Sequence, residues 1–364
     1  MDDANDPGVT VSVDLLRRRL LQAGFSGTAL SMLPFKVAYA ASTGGSFQPI
    51  AASTEDLLRI PEGYVAEVLF AWGDPVSDGP AFRSDAGNSA ADQAQQAGMH
   101  HDGMHFFPFM EDGKPSSVHG LLCINHEYTD EGLLHRGGPA DWNHEKTVKS
   151  QNAHGVSIIE VRRDGNAPWQ VVRPSNYARR ITARSPMRIS GPAASSPALR
   201  TSGDRRGDVV FGTLANCAMG FTPWGTYLSC EENFHGYFNG IATPTAAQQR
   251  YGIRAGGAGL RWHQHDARFD VATEPNEPNR FGWVVEIDPW NPGRPPIKRT
   301  ALGRFKHESA TVTLAADRRV VVYMGDDEAF EYIYKFVSQD RFDEKNPAAN
   351  VHLLDRGTDR KSVV

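Results

Sequence analysis

Short apolar stretches separated by turn residues dominate the chain after residue 56. Runs of apolar, β-branched or aromatic residues recur at 156–161, 209–211, 227–230, 283–287 and 320–324. No window keeps the 3.6-residue period of an amphipathic helix, whereas short runs bounded by turn residues are typical of strands. The pattern predicts an all-β protein with many short, antiparallel strands.

A weak internal repeat indicates how these strands are arranged. The strand–turn–strand unit of residues 156–172 recurs in residues 282–293. Repeated strand pairs are typical of β-propellers, whose blades usually take about 40–50 residues. We therefore expect a β-propeller with long loop insertions at residues 74–103 and 184–206. A β-sandwich with long loops is the alternative.

The N-terminal segment has the features of an export signal. Arg17-Arg18-Arg19 precedes a weakly apolar, glycine-interrupted run, and Ala38-Tyr39-Ala40 has the small-residue pattern of a cleavage site. This order is typical of a twin-arginine signal. An amphipathic N-terminal helix is the alternative. The interpretation divides the chain into a signal peptide (1–40), a linker (41–56) and a partial propeller catalytic domain (57–364).

Composition excludes several classes of protein. The net charge is −5 with acids and bases interspersed, so the basic stripe of a nucleic-acid binder is absent from the sequence. No apolar run reaches the ~18 residues that a stable membrane anchor needs. The three cysteines are too few for a disulfide framework, and at least one must be unpaired.

Acidic residues at the ends of predicted strands are the candidate metal ligands. In a propeller, such strand ends deliver carboxylates to the central channel, and carboxylate oxygens suit hard cations such as calcium. Adjacent side chains of a strand alternate, so only one acid of the Glu231-Glu232 pair is expected to face the channel. Solvated turn carboxylates are the alternative interpretation. The candidates are Glu127, Glu231, Glu232, Glu308, Asp326 and Asp327.

Cys217 adds a different kind of ligand to this set. It lies before the glycine-containing turn that leads into the strand ending at Glu231-Glu232. A thiolate favours a transition metal such as iron, although a lone cysteine is more often a small core residue. The segment after residue 40 contains no Gly-x-Ser-x-Gly elbow, and the chain contains no His-Glu-x-x-His motif or Walker loop. Any chemistry would therefore depend on a metal.

Several motifs resemble those of the PhoX-type alkaline phosphatases and stand in the same order. They include Asn125-His126-Glu127, Cys230-Glu231-Glu232-Asn233 and Lys306-His307-Glu308. The resemblance extends over residues 54–357 and also includes residues 186–194, 216–217, 222–226 and 325–327. It implies a propeller, exported by the twin-arginine machinery, that hydrolyses phosphate esters with iron and calcium ions around a bridging oxygen.

The resemblance also implies a role for individual residues. Cys217 and Glu308 would bind iron, whereas Glu232 and Asp327 would bind calcium or share the iron site. The two other implied candidates, Glu127 and Asp326, either bind metal or support the residues that do, since acids near a metal often act on its ligands.

The sequence departs from the family near its C-terminus. Residues 359–362 replace the apolar run that the family has there, and family members continue well beyond this length. We therefore expect an incomplete propeller that has little or no activity by itself. The predicted function is a periplasmic or secreted, monomeric alkaline phosphatase for phosphate monoesters. The alternatives are a noncatalytic metal-binding propeller fragment and a calcium-dependent propeller esterase or lactonase.

Overall fold

The computed structural model describes residues 48–257 and 259–361. It divides the chain into two compact units, with the boundary between Ala66 and Glu67. The proposed signal peptide lies outside the described residues, as do residues 41–47 of the proposed linker. Residues 48–66 contain no helix or strand, and Leu57 and Leu58 are exposed. All of the helices and strands of the described residues lie in the second unit.

The first sheet of this unit is antiparallel. Its strands run in the order β1-β2-β3-β4, and β5 also pairs with β3. The strands are β1 (His101–Glu111), β2 (Lys114–His126), β3 (Gly155–Arg162), β4 (Gln170–Val171) and β5 (Arg179–Ile181).

The second sheet is mixed, with the order β7-β6-β11-β10-β9-β8. Only the pairing of β6 with β11 is parallel. Its strands are β6 (Pro186–Ser190), β7 (Val209–Phe211), β8 (Asn216–Phe221), β9 (Tyr227–Glu231), β10 (Val284–Ile287) and β11 (Ile297–Arg299).

The third sheet is antiparallel and follows the chain order β12-β13-β14-β15. Its strands are β12 (Thr311–Leu314), β13 (Arg319–Gly325), β14 (Ile333–Arg341) and β15 (Gly357–Lys361). Residues 359–361, which lack the family's apolar pattern, thus still form part of an edge strand.

Helices are few and short in the described part of the chain, and none is long and apolar enough to cross a membrane. The α-helices are α1 (Ala90–Gln93), α2 (Glu131–Leu134), α3 (His144–Asn152) and α4 (Ala246–Arg250). Single 3₁₀ turns occupy Pro197–Leu199, Phe234–Tyr237, Trp262–Gln264, Ala267–Phe269, Glu277–Arg280, Thr300–Leu302 and Pro347–His352.

The prediction of a sheet-dominated protein is confirmed, with three local corrections. Segment 186–190 is a strand within the predicted insertion at 184–206, and it forms the parallel pair. The predicted insertion at 74–103 contains α1 and the start of β1. Helix α3 was missed because its buried side chains are mainly polar, so it has no apolar period. The described residues form three sheets without a closed propeller, so the propeller stays a prediction.

Strand β9 lies between the two largest hydrophobic clusters. Its side chains alternate, so Tyr227 joins the cluster containing Leu121 of β2, whereas Leu228 and Cys230 join the cluster containing Val322 of β13. All of these side chains are fully buried. Each large apolar side chain buried in this way contributes roughly 1.5–3 kcal/mol, so β9 is fixed firmly from both sides.

A buried ion pair joins β9 to β11. Lys298 Nζ lies 2.7 Å from Glu231 Oε1, and neither side chain is exposed. Glu231 Oε2 accepts hydrogen bonds from the backbone N–H groups of Gly282 (3.0 Å) and Trp283 (3.1 Å). Lys298 Nζ also donates to the carbonyl of Arg280. Both charges therefore have partners, which is the condition under which a buried pair is tolerated.

We expect Lys298→Met to lower the free energy of unfolding by about 3–5 kcal/mol, because it leaves the Glu231 carboxylate buried without its cation. The double variant Lys298→Met/Glu231→Gln should recover most of this loss, since an amide oxygen still accepts the two backbone N–H groups. Urea denaturation at pH 7 measures both. Equal losses in the single and double variants would contradict the charge argument.

Candidate metal centre

Asn125, at the end of β2, fixes the backbone of Cys217 in the neighbouring sheet. Its Nδ2 donates to the Cys217 carbonyl and to the Ala218 carbonyl at 3.2 Å. Its Oδ1 accepts from the hydroxyl groups of Tyr227 and Ser229, each at 2.9 Å. The whole Asn125 side chain is buried. One amide thus links the first sheet to both β8 and β9.

Cys217 lies at an irregular position of β8. The pairing of β8 with β9 shifts register between Asn216 and Met219, and the preceding Ala215 has a φ of +47°. Such irregularities redirect side chains and are frequent beside functional sites. The Cys217 Sγ atom lies 3.7 Å from Glu308 Oε2, although 91 residues separate the two positions.

Backbone hydrogen bonds bring two of the predicted acids together from distant parts of the chain. The N–H of Glu308 donates to the Gly325 carbonyl at 3.1 Å, and that of Asp327 donates to the Lys306 carbonyl at 3.0 Å. Glu232 immediately follows the last residue of β9. Glu232 and Asp327 therefore follow strands of two different sheets, and Glu308 comes from the connection that precedes β12.

The donor atoms form two overlapping groups that could each hold a metal ion. Within the first group, made by Cys217, Glu232 and Glu308, all donor atoms lie within 4.8 Å of one another. The second group, made by Asp102, Glu127 and Cys217, meets the same limit. Because both groups include the Cys217 thiol, they are parts of one site.

The two adjacent aspartates predicted as ligands have different surroundings. The Asp327 carboxyl is close enough to that of Glu232 to raise its pKa, which places Asp327 at the edge of the first group. Asp326 Oδ1 instead accepts the backbone N–H of Lys306 at 3.3 Å. Within the described residues its buried Oδ2 has no hydrogen-bond partner, and Arg250 lies 3.9 Å away.

Glu231 does not join this site. Both of its oxygens are engaged in the buried pair with Lys298 and the backbone N–H groups described above. The expected alternation along β9 explains why Glu231 and Glu232 face different surroundings. The ligand set proposed below therefore omits Glu231.

Asp102 was missed by the sequence analysis. It lies within the segment interpreted as an insertion loop, whereas the structure places it in β1. Its neighbour His101 pairs with His126 across antiparallel β1 and β2, so Asp102 and Glu127 flank this pair diagonally, one on each side of it along the ladder. Only this register, which the local sequence does not specify, could have connected the two acids.

Burial and mutual repulsion raise the pKa of several groups in the site. Burial, followed by the charges of Asp102 and Glu308, raises the pKa of Glu127 to about 7. Burial, and the Asp327 carboxylate that accepts a hydrogen bond from protonated Glu232, raise the pKa of Glu232 to about 8. Burial and the charge of Glu232 also raise the pKa of the Cys217 thiol.

A bound cation would counteract these raised pKa values. A metal ion replaces the protons that the raised pKa values favour on Glu127, Glu232 and Cys217, and it stabilises a thiolate directly. The carboxylates suit hard ions, whereas the thiol suits a transition metal. The residues present therefore fit a mixed metal centre.

A sheet-rich fold that gathers a thiol and carboxylates at one point defines an all-β protein with a candidate metal centre. The sequence profile of the family described as alkaline phosphatase PhoX matches residues 45–361. The chain belongs to this family. No curated protein gives a match.

A solved structure supports the same assignment. The chain is similar to Pseudomonas fluorescens PhoX in complex with vanadate, a transition state analogue, with 48 % identity and a TM-score of 0.83. The match covers 86 % of this chain and 54 % of that one. The chain therefore spans about half the length of that relative.

The raised pKa of Glu232 predicts how the stability of the metal-free protein depends on pH. From its ordinary value of 4.5 up to about 8, the folded state keeps a proton that the unfolded state has lost. The free energy of unfolding should therefore fall as pH rises through this window. Urea denaturation from pH 5 to 8 measures the slope.

Glu232→Gln should reduce this slope, because the amide does not titrate. The matched control is Glu344→Gln, which changes an exposed glutamate. An unchanged slope in Glu232→Gln would contradict the assignment of the proton to Glu232.

Proposed function

We propose that this chain forms a metal-dependent centre for the hydrolysis of phosphate monoesters. The observation that carries the proposal is the convergence of Cys217, Glu232 and Glu308 in a chain that is 48 % identical to PhoX. The vanadate in that relative is described as a transition state analogue, and vanadate resembles a phosphoryl group in transfer.

The donor set suggests which residues would hold which metal. Cys217 and Glu308 would bind iron, since the thiol favours a transition metal. Glu232 and Asp327 would bind calcium or share the iron site, and Asp102 extends the set beside Glu127. When bound, such ions bind phosphate oxygens, neutralise developing negative charge and activate an attacking oxygen.

The protein's own residues contribute position and proton control. Asn125 fixes the backbone of Cys217, and the backbone hydrogen bonds of Glu308 and Asp327 hold those acids near it. Preorganised groups of this kind need no rearrangement when a charged ligand arrives. Glu232 holds a proton near neutral pH until a cation replaces it, so loading of the site should release protons.

The complete fold, the substrates, the location and the oligomeric state are also proposed, from the resemblance to the family. The three sheets would be part of a propeller, and the substrates would be small-molecule phosphate esters. Arg17-Arg18-Arg19 would direct twin-arginine export to the periplasm or beyond, with the enzyme acting as a monomer. The match covers 54 % of the PhoX chain, and turnover by this chain is part of what we propose.

The same coverage supports a second candidate, which is a noncatalytic metal-binding module. It requires only the donor groups present here, and it predicts metal binding without turnover. A calcium-only esterase or lactonase is less well supported, because it would leave the shared thiol of both donor groups without a role.

Elemental analysis and hydrolysis of p-nitrophenyl phosphate, both after loading with iron and calcium, test the proposal. We expect bound iron in the unmodified protein, and its loss in Cys217→Ala together with a fall in hydrolysis of roughly 100-fold, since a metal-assisted step loses its ion. Cys123→Ala is the matched control, because Cys123 is buried in the apolar core and outside both donor groups.

Each alternative gives a different result. Bound iron without hydrolysis would favour the noncatalytic module. Hydrolysis with calcium alone, unaffected by Cys217→Ala, would favour the calcium-dependent esterase. Equal effects of Cys217→Ala and Cys123→Ala would show that the loss reflects packing and not metal binding.

A further inference from the structure

The loop that joins β13 to β14 holds one phenylalanine in an unusual state. Phe330 is 100 % exposed, and its φ is +69°. A positive φ is uncommon for any residue except glycine and is a clear outlier for a bulky one. Full exposure of an aromatic ring also forfeits the stabilisation that burial would give. Neither feature helps the chain to fold.

Polar contacts on both sides of Phe330 hold the loop in place. Glu328 forms an ion pair with Lys306, and Glu331 lies 3.0 Å from Arg250 at the end of α4. The base of the loop is closed by the backbone hydrogen bond from the N–H of Asp326 to the carbonyl of Tyr332, at 3.2 Å. The exposed ring therefore sits on a fixed support.

The same loop also contributes a residue to the candidate metal centre. Its second residue is Asp327, whose N–H donates to the Lys306 carbonyl at 3.0 Å, and the Gly325 carbonyl just before the loop accepts the N–H of Glu308 at 3.1 Å. The three residue steps from Asp327 to Phe330 span at most about 11 Å even when fully extended. The Phe330 backbone is thus near enough to the centre for its ring to contact a ligand that projects outward from it.

We propose that Phe330 is a specificity-determining residue that contacts the organic group of the phosphate ester. The inference rests on the proposed function, because it requires the centre to bind the phosphate group. A phosphate bound by metal ions that the carboxylates hold would leave the organic group projecting away from the centre. An aromatic or apolar group would then pack on the Phe330 ring, while a small polar group would gain little.

Binding of phosphonates tests this contact without any turnover, because their P–C bond is not hydrolysed as an ester. Isothermal titration of the iron- and calcium-loaded protein with phenylphosphonate and methylphosphonate gives the ratio of the two dissociation constants. We expect phenylphosphonate to bind about five- to tenfold more tightly, which is the size of a typical aromatic contact.

Phe330→Ala should bring this ratio close to one, mainly by weakening phenylphosphonate binding. Phe330→Gly should do the same while relieving the positive φ, which separates the loss of the ring from the loss of strain. The matched control is Phe211→Ala, since Phe211 is a half-exposed phenylalanine on β7, and the ratio should stay at its original value.

Three results would overturn the proposal: an unchanged ratio in Phe330→Ala, an equal loss for both phosphonates, or no binding of either phosphonate by the unmodified protein. A lost phenyl preference in a protein that does not hydrolyse p-nitrophenyl phosphate has a different meaning. It would support the contact at Phe330 while contradicting the proposed catalytic function.

Discussion

The mutual repulsion of clustered acidic groups is the constraint on which the rest of this structure depends. Carboxylates and a thiol whose donor atoms lie within 4.8 Å of one another repel each other as anions, and a bound cation relieves that repulsion. Holding them together takes rigid support, which comes from the Asn125 side chain, the firmly packed β9 strand and short backbone links between distant segments. The site is thus costly by itself and becomes favourable only with metal.

The local pattern of apolar and polar residues predicted much of the fold. The β-branched run at residues 320–324 predicts a strand, and the structure has β13 at Arg319–Gly325. Alternation also predicted that Glu231 and Glu232 would face different surroundings, as they do. Helix α3 escaped detection because it buries polar side chains. The parallel pairing of β6 with β11 depends on long-range contacts that no short window of sequence contains.

The residues of the candidate site also fall into those that the sequence could identify and those that it could not. Cys217, Glu127, Glu232, Glu308 and Asp327 could be identified because they lie in motifs that resemble a known family. Asp102 could not, since its place depends on the register of β1 against β2. The state of Phe330 was equally inaccessible, because exposure and backbone conformation are properties of the folded loop. Residues whose role depends only on their position in the folded protein can therefore be recognised only from the structure.

Anomalous X-ray diffraction from crystals loaded with iron and calcium tests the central claim most directly. Data collected on either side of the iron absorption edge locate iron independently of calcium. The account predicts an iron peak within bonding distance of Cys217 Sγ and of a Glu308 oxygen, where the two donor groups meet. An iron-free Cys217, with metal bound only elsewhere in the protein, would contradict it.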